Sequence, residues 1–228
     1  MNSFSHSLLT AKQNGCIPVI ADIKCRSPQH GDLLHGRDPV ACAEMLTQCG
    51  APALSVVTES LRFGGSLALL ERVVEATKLP ILRKDFVETS DDLAHTRDSG
   101  AAAILLMISV LPEKTFETLY EKSLDLGLEP LVEVHTLEEM NIAKRLGATL
   151  IGINNKDITQ WECDDGTVQT TQRLVRHAPA GATLVSESGI ATPADARAAI
   201  HAGCTAVLVG TALWQAPDLR QAFAEFKF

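Results

Sequence analysis

Pro18-Val19-Ile20-Ala21-Asp22-Ile23-Lys24-Cys25-Arg26-Ser27-Pro28 is the stretch on which the reading of this chain turns. An apolar run, residues 19–21, leads into Asp22, Ile23 and Lys24, and Ser27-Pro28 ends it. The pattern is that of a buried strand with an acid and a base at its far end. Side chains two apart on a strand share a face, so Asp22 and Lys24 project together. An ion pair decorating a surface would look the same locally. The two readings separate on whether other strands end in the same way.

They do. Apolar runs at residues 53–58, 80–82, 101–107, 130–134, 149–153, 183–186 and 205–209 read as seven further strands. They are near-continuous in Val, Ile, Leu and Ala, the composition of parallel strands buried on both faces. Helical stretches alternate with them. Residues 5–14 form a modestly helical lead-in broken by Gly15. After a loop at 29–37, Asp38-Pro39 supplies an N-cap with Pro in the first turn, and Ala41, Met45 and Leu46 form a stripe before Gly50. Arg62-Phe63-Gly64-Gly65-Ser66 opens a helix through Thr77, and further helices are expected over 90–99, 113–126, 136–146, 168–177, from Thr192-Pro193, and over 217–226. Gly50, Gly100, Gly147 and Gly203 stand before strands, as glycines do at helix ends. Eight strand–helix units of roughly 20–30 residues make a (β/α)8 barrel, an α/β TIM barrel read as one domain over residues 1–228. A doubly wound open sheet is the competitor, but it usually carries a Gly-rich phosphate loop after its first strand, which Ser27-Pro28 does not match.

A barrel of this kind builds its site at the C-terminal strand ends. Asp22, Lys24, Ser27, Phe63, Lys84, Phe86, Glu133, Asn154, Lys156, Glu187, Ser188, Gly189, Gly210 and Thr211 fall there. Some charge at strand ends is expected where strands meet water. Two lysines and two glutamates inside apolar strand sequence are not, because a buried charge is costly unless paired. Glu187-Ser188-Gly189-Ile190 and Val209-Gly210-Thr211 follow strands seven and eight, where small residues let backbone N–H groups approach a phosphate.

Composition narrows the partners. The chain has 228 residues, 46% hydrophobic and 21% charged, with a net charge of −8. Those proportions are ordinary for a globular protein, and the acidic balance argues against nucleic acid or an anionic membrane. No run approaches the roughly 18 apolar residues of a membrane span, and residues 1–13 show no signal-peptide core. Cys16, Cys25, Cys42, Cys49, Cys163 and Cys204 have no CxxC spacing and read as reduced thiols of a cytoplasmic protein.

Several of these stretches resemble the indole-3-glycerol phosphate synthase family. They are residues 18–28, Leu54-Ser55-Val56-Val57-Thr58 with Phe63-Gly64-Gly65-Ser66, and Pro80-Ile81-Leu82-Arg83-Lys84-Asp85-Phe86. Leu131-Val132-Glu133-Val134-His135, Ile151-Gly152-Ile153-Asn154-Asn155, Val185-Ser186-Glu187-Ser188-Gly189-Ile190 and Val207-Leu208-Val209-Gly210 continue the series in order. The resemblance implies a tryptophan-pathway lyase, free of metal or organic cofactor. Such an enzyme closes the indole ring of 1-(2-carboxyphenylamino)-1-deoxyribulose 5-phosphate with loss of carbon dioxide and water. It makes Lys84 the general acid, Glu133 the general base, and Lys24 the holder of the substrate carboxylate. Asn154 and Glu187 would fix the anilino and hydroxyl groups. Ser27, Ser188, Gly189, Gly210 and Thr211 would hold the phosphate, and Phe63 and Phe86 would pack on the aromatic ring.

Three departures accompany the resemblance. Asp22 stands where the family usually has Glu, and Lys156 where it usually has Arg, which loses planar bidentate recognition. The family's N-terminal extension over the barrel mouth is shortened here. A diverged paralogue with the same acid–base chemistry on another phosphorylated substrate is the alternative, and a partner subunit covering the mouth stays open. On the sequence alone, Asp22→Glu combined with Lys156→Arg is expected to raise synthase activity.

Overall fold

A computed structural model describes residues 3–156 and 167–228. Asp157, read as the tail of the sixth strand, and Cys163 lie outside the described residues. The first strand is β1 (Val19–Ile23), followed by a small hairpin, β2 (Arg26–Ser27) and β3 (Gly31–Asp32). Then come β4 (Ala53–Val57), β5 (Ile81–Lys84), β6 (Ala103–Met107), β7 (Glu129–Val134), β8 (Leu150–Asn154), β9 (Thr183–Glu187) and β10 (Ala206–Val209). β1 and β4 to β10 pair in parallel, each with its sequence neighbour, and β1 closes on β10. The expected eight-stranded barrel is therefore present.

The helices are α1 (Phe4–Gln13), α2 (Pro39–Gln48), α3 (Leu67–Ala76), α4 (Ser90–Asp98), α5 (Glu113–Asp125) and α6 (Leu137–Arg145). α7 (Gln169–Leu174), α8 (Pro193–Ala202), α9 (Thr211–Gln215) and α10 (Leu219–Phe226) follow. Most begin where a side chain can take an orphan N–H. Asp38 accepts from Val40, Ser66 from Leu69 and Asp218 from Gln221, while Thr89 with Asp92 and Thr192 with Asp195 form reciprocal capping boxes.

Four details depart from the sequence reading. The expected helix over 168–177 is α7 plus a tighter 3-10 turn, Val175–His177. The short α9 precedes α10. The loop after β1 holds the β2–β3 hairpin. Finally, α1 is more than a lead-in: Phe4 and Leu8 are fully buried among Ile20, Ala53, Leu82, Ala103 and Leu150, the residues that start the inner face of the barrel. α1 thus plugs the end opposite the strand C-termini. Glu129 at the start of β7 takes the backbone N–H of Phe4 and Ser5 and the Ser5 hydroxyl.

The two-residue period then orders the interior. Upward from the plug run Ile20, Asp22 and Lys24; Ala53, Ser55 and Val57; Leu82 and Lys84; Leu131 and Glu133; Leu150, Gly152 and Asn154. Apolar residues fill the lower layer, and the upper positions carry the polar ones, with Val57 and Met107 as apolar members of the mouth, so the alternation that builds the barrel also lifts charge to one mouth. The outward set packs under the helices in two clusters, one around Trp214 and Phe223, the other around Phe116 and Met140.

Candidate active site

Register brings the charged residues together. Val57 pairs with Lys84, Met107 with Glu133, Glu133 with Gly152, and Asn154 with Glu187. Lys84 Nζ lies 3.6 Å from Glu133 Oε2 and 3.5 Å from Glu187 Oε2, and both carboxylates are 1% exposed. Burial alone would push Lys84 down, but Glu187, Glu133 and Asp22 outweigh it and hold the ammonium protonated. Burial pushes Glu133 up, yet Lys84, His135 and Asn154 bring it down to about 2. Glu187 behaves oppositely: burial, with the charges of Glu133 and Asp22, lifts it to about 7 against the pull of Lys84. Among the described residues, Glu133 Oε2 and both Glu187 oxygens have no hydrogen-bond partner. The arrangement is an ammonium between one ionised and one readily protonated carboxyl, which suits general acid–base work.

Two joined cavities open above this group. One, of about 470 Å³, is lined by Asp22, Lys24, Phe63, Lys84, Phe86, Glu133, Asn154, Lys156 and Ser188 among others. Its apolar wall comes from Phe63, Phe86, Leu105, Met107 and Val110. The other, of about 580 Å³, shares Asp22, Lys24, Lys84, Lys156 and Ser188 and adds Ser27, Gly189, Gly210 and Thr211. Thirteen of the fourteen residues singled out in the sequence thus face one continuous space. Glu187 lies buried behind Lys84.

Local sequence explains the placement. Lys24 sits 5.5 Å over the Phe63 ring, and Arg62 5.0 Å over Phe86, so both aromatics are steadied by cations. In the segment Arg83-Lys84-Asp85 the strand alternation turns Lys84 inward and Arg83 outward. Arg83 is buried and donates to Thr58 Oγ1, Asp85 Oδ2, Thr96 Oγ1 and the Asp92 carbonyl, fastening the end of β5 to α4. Asp22 is held by the Ser55 hydroxyl at 2.7 Å, and beside it, just past the adjacent strand β10, stands the bare Cα of Gly210.

The turn after β9, where the sequence predicts a phosphate cradle, depends on backbone geometry. Ser188 adopts φ +59 and Gly189 φ +67. A non-glycine residue in that region is strained unless its surroundings fix it. Asn155 does so, its side-chain amide donating at 3.0 Å to Ser186 Oγ and to the carbonyls of Glu187 and Ser188. At Gly189 a Cβ would meet the Thr167 carbonyl at 2.5 Å.

Sequence reasoning missed five residues that build this site: Ser55, Arg83, His135, Gly152 and Asn155. Gly152 had a legible signal, a lone glycine inside a strand; a Cβ there would overlap Oε1 of Glu187. His135 lies two residues beyond Glu133 and therefore on the same side. Asn155 and Arg83 carried no signal beyond polarity at a strand end.

Comparison with known proteins agrees with the geometry. The family model described as Indole-3-glycerol phosphate synthase matches residues 1–226. The synthase of Pyrococcus abyssi is 41% identical over 213 residues, covering 92% of each chain. That of Pyrococcus furiosus is 40% identical over 97% of this chain and 95% of its own. That of Oceanobacillus iheyensis is 37% identical over 92% of this chain and 80% of its own. Among solved structures, a thiamine phosphate pyrophosphorylase from Pyrococcus furiosus superposes with TM-score 0.67 at 16% identity, covering 92% of this chain and 93% of that one. An N-acetylmannosamine-6-phosphate 2-epimerase from Clostridium perfringens does so with TM-score 0.68 at 18% identity, covering 86% of each. These two likenesses carry the fold alone. The match along nearly the whole chain, at about 40% identity, places this protein in the indole-3-glycerol phosphate synthase family.

Proposed function

We propose that Lys84 and Glu133 are the general acid and general base of this enzyme's ring closure. The reaction itself follows from family membership: indole-3-glycerol phosphate synthesis in the tryptophan pathway. The roles rest on one observation, the Lys84 ammonium held 3.6 and 3.5 Å from Glu133 and Glu187 at the floor of the cavity.

The substrate's phosphate sits in the cradle of Ser27, Ser188, Gly189, Gly210 and Thr211, and its anthranilate ring lies between Phe63 and Phe86. Lys24 and Lys156 hold the ring carboxylate. Bond formation between the carboxylate-bearing ring carbon and the ketone carbon pushes negative charge onto oxygen, which Lys84 protonates. Carbon dioxide then leaves, and its bonding electrons restore the aromatic ring. The new hydroxyl departs as water on taking a second proton, while Glu133 removes a proton from the adjacent carbon. Lys24 assists these transfers, and Asn154 orients the anilino nitrogen; Glu187, expected from the resemblance to hold a hydroxyl, lies behind Lys84 and acts through that ammonium. Anchoring the phosphate away from the reacting carbon fixes the angle of approach.

The alternative, a different phosphorylated substrate, rested on Asp22 and Lys156, and the comparisons give it no support. Incubation with 1-(2-carboxyphenylamino)-1-deoxyribulose 5-phosphate, followed by indole fluorescence, tests the assignment. Lys84→Met and Glu133→Gln should each lose about a hundredfold or more in kcat, the general range for an acid or base. Undiminished turnover by either folded variant would remove that residue from its role.

A further inference from the structure

The two carboxylates beside Lys84 are near equivalents. Glu133 and Glu187 are equally buried and almost equally distant from one ammonium. One cation cannot hold two buried carboxylates ionised, so the pair shares a proton unless something breaks the symmetry. The asymmetry lies beyond Glu133. His135 places Nε2 3.3 Å from Glu133 Oε1 and Nδ1 3.3 Å from Glu139 Oε2 on α6. Glu139 is itself fixed, since the same oxygen accepts the His135 backbone N–H at 2.5 Å and its own N–H donates to Thr136 Oγ1. Nδ1 is hydrogen-bonded to Glu139, while Nε2 faces Glu133 as an ion-pair contact without hydrogen-bond geometry; a ring set between two carboxylates is favoured in its imidazolium form.

Resting on the reading of Glu133 as base, we infer that His135, pinned by Glu139, is a positioning residue whose charge keeps Glu133 the ionised member of the pair and leaves the proton to Glu187. The charged groups facing the pair are Lys84 from β5, Asp22 from β1, His135 and, behind it, Glu139. Asn154 from β8 adds a neutral polar group that also favours the charged form of Glu133. Lys84 pulls on both carboxylates and so cannot sort them. The titration directions agree: burial opposes the charge on His135, but Glu133 and Glu139 push its pKa up to about 9.

The test is the pH dependence of kcat/KM for indole formation by the wild type, His135→Gln, Glu139→Gln and Glu133→Gln. The acid limb of that profile reports the base of the free enzyme. The glutamine keeps a donor near Glu133 and removes the charge. Its acid limb should rise by about 1–3 pH units, the usual effect of an opposite charge within 4–6 Å. Glu139→Gln, one step further from Glu133, should move the limb the same way by less. A role confined to packing would lower the rate by one factor at every pH. An unmoved limb in folded His135→Gln overturns the inference, and if that variant does not fold, an unmoved limb in Glu139→Gln does so. The base reading is judged separately. Glu133→Gln turning over with the wild-type profile takes down both, whereas an inactive Glu133→Gln beside an unmoved limb in His135→Gln removes only His135.

Discussion

At the scale of single residues, space and charge are matched around Glu187. Gly152 leaves the room its carboxylate occupies. The overlapping atom is the tip of a flexible side chain, so Gly152→Ala should fold with little loss of melting temperature while driving Glu187 away from Lys84. Misplacement of this kind costs about a hundredfold in rate; a variant with wild-type kcat would show that Glu187 need not stand there. Protonation gives a second handle. Glu187 is raised from an ordinary 4.5 to about 7. The native state therefore binds a proton that the unfolded chain has released between those values, and stability falls as pH rises through that window. Glu187→Gln does not titrate. Its stability relative to wild type should improve from pH 4.5 to 7 and hold level above, as read by urea unfolding at several pH values. A constant difference across that range would contradict the raised pKa. Asp22 completes the scale. The Ser55 hydroxyl holds its shorter carboxylate at 2.7 Å beside Gly210. That fit argues against a gain from lengthening Asp22 alone. Asp22→Glu breaks the Ser55 bond and crowds Gly210, and should lower kcat/KM; a gain would mean that the pocket is not fitted to the shorter acid.

At the scale of elements, α1 shows what the sequence could and could not tell. Its mild helical pattern was legible; that Phe4 and Leu8 fill the lower end of the barrel was not, because a helix's partner is a long-range fact. The eight strands were legible for the converse reason. Each is a local run of apolar residues that needs burial on both faces, and only one closed arrangement of eight such units supplies it. The β2–β3 hairpin had no local pattern, being two residues a side and made by the pairing of Arg26 with Asp32. The charged site residues were readable because charge inside an apolar run is conspicuous. Asn155 and His135 were not, since their work is done on the backbone of β9 and on a neighbouring carboxylate. The plug gives a stability prediction free of catalysis. Phe4→Ala should cost about 3–5 kcal/mol, as for a buried aromatic. Glu129→Gln weakens the charged cap on α1 and should cost about 1 kcal/mol. Both are read by urea unfolding, and kcat of the folded variants should stay unchanged because the site is at the other mouth. A large fall in kcat would mean that α1 acts on the site through the barrel.

At the scale of the whole molecule, the barrel is a set of strands whose upper ends are held in place by one another's loops. The cradle after β9 is fastened by Asn155, on the loop after β8, whose Oδ1 also accepts from the Thr171 N–H at the head of α7. The loop after β1 is tied to α9 by Arg37, which stacks on Trp214 and donates to its carbonyl. Trp214 in turn donates Nε1 to the Asp22 carbonyl at 2.7 Å. A phosphate settling between Ser188-Gly189 and Gly210-Thr211 would therefore join segments that are far apart in the chain, and its binding energy should appear as global stability. At a hundredfold excess over Kd, a ligand that binds only the native state adds about 2.7 kcal/mol. For a chain of this size that is about 5–10 °C in melting temperature, at about 2–4 °C per kcal/mol. Inorganic phosphate should raise the melting temperature of the wild type and of Glu133→Gln alike, since Glu133 lies outside the cradle. It should fail to do so for Gly210→Val, whose side chain would press on Asp22 from a wall of the second cavity. A shift of equal size in Gly210→Val would place the anion elsewhere. No shift in any of the three, with turnover also uninhibited by inorganic phosphate, would mean that the cradle grips the phosphate only as part of the whole substrate.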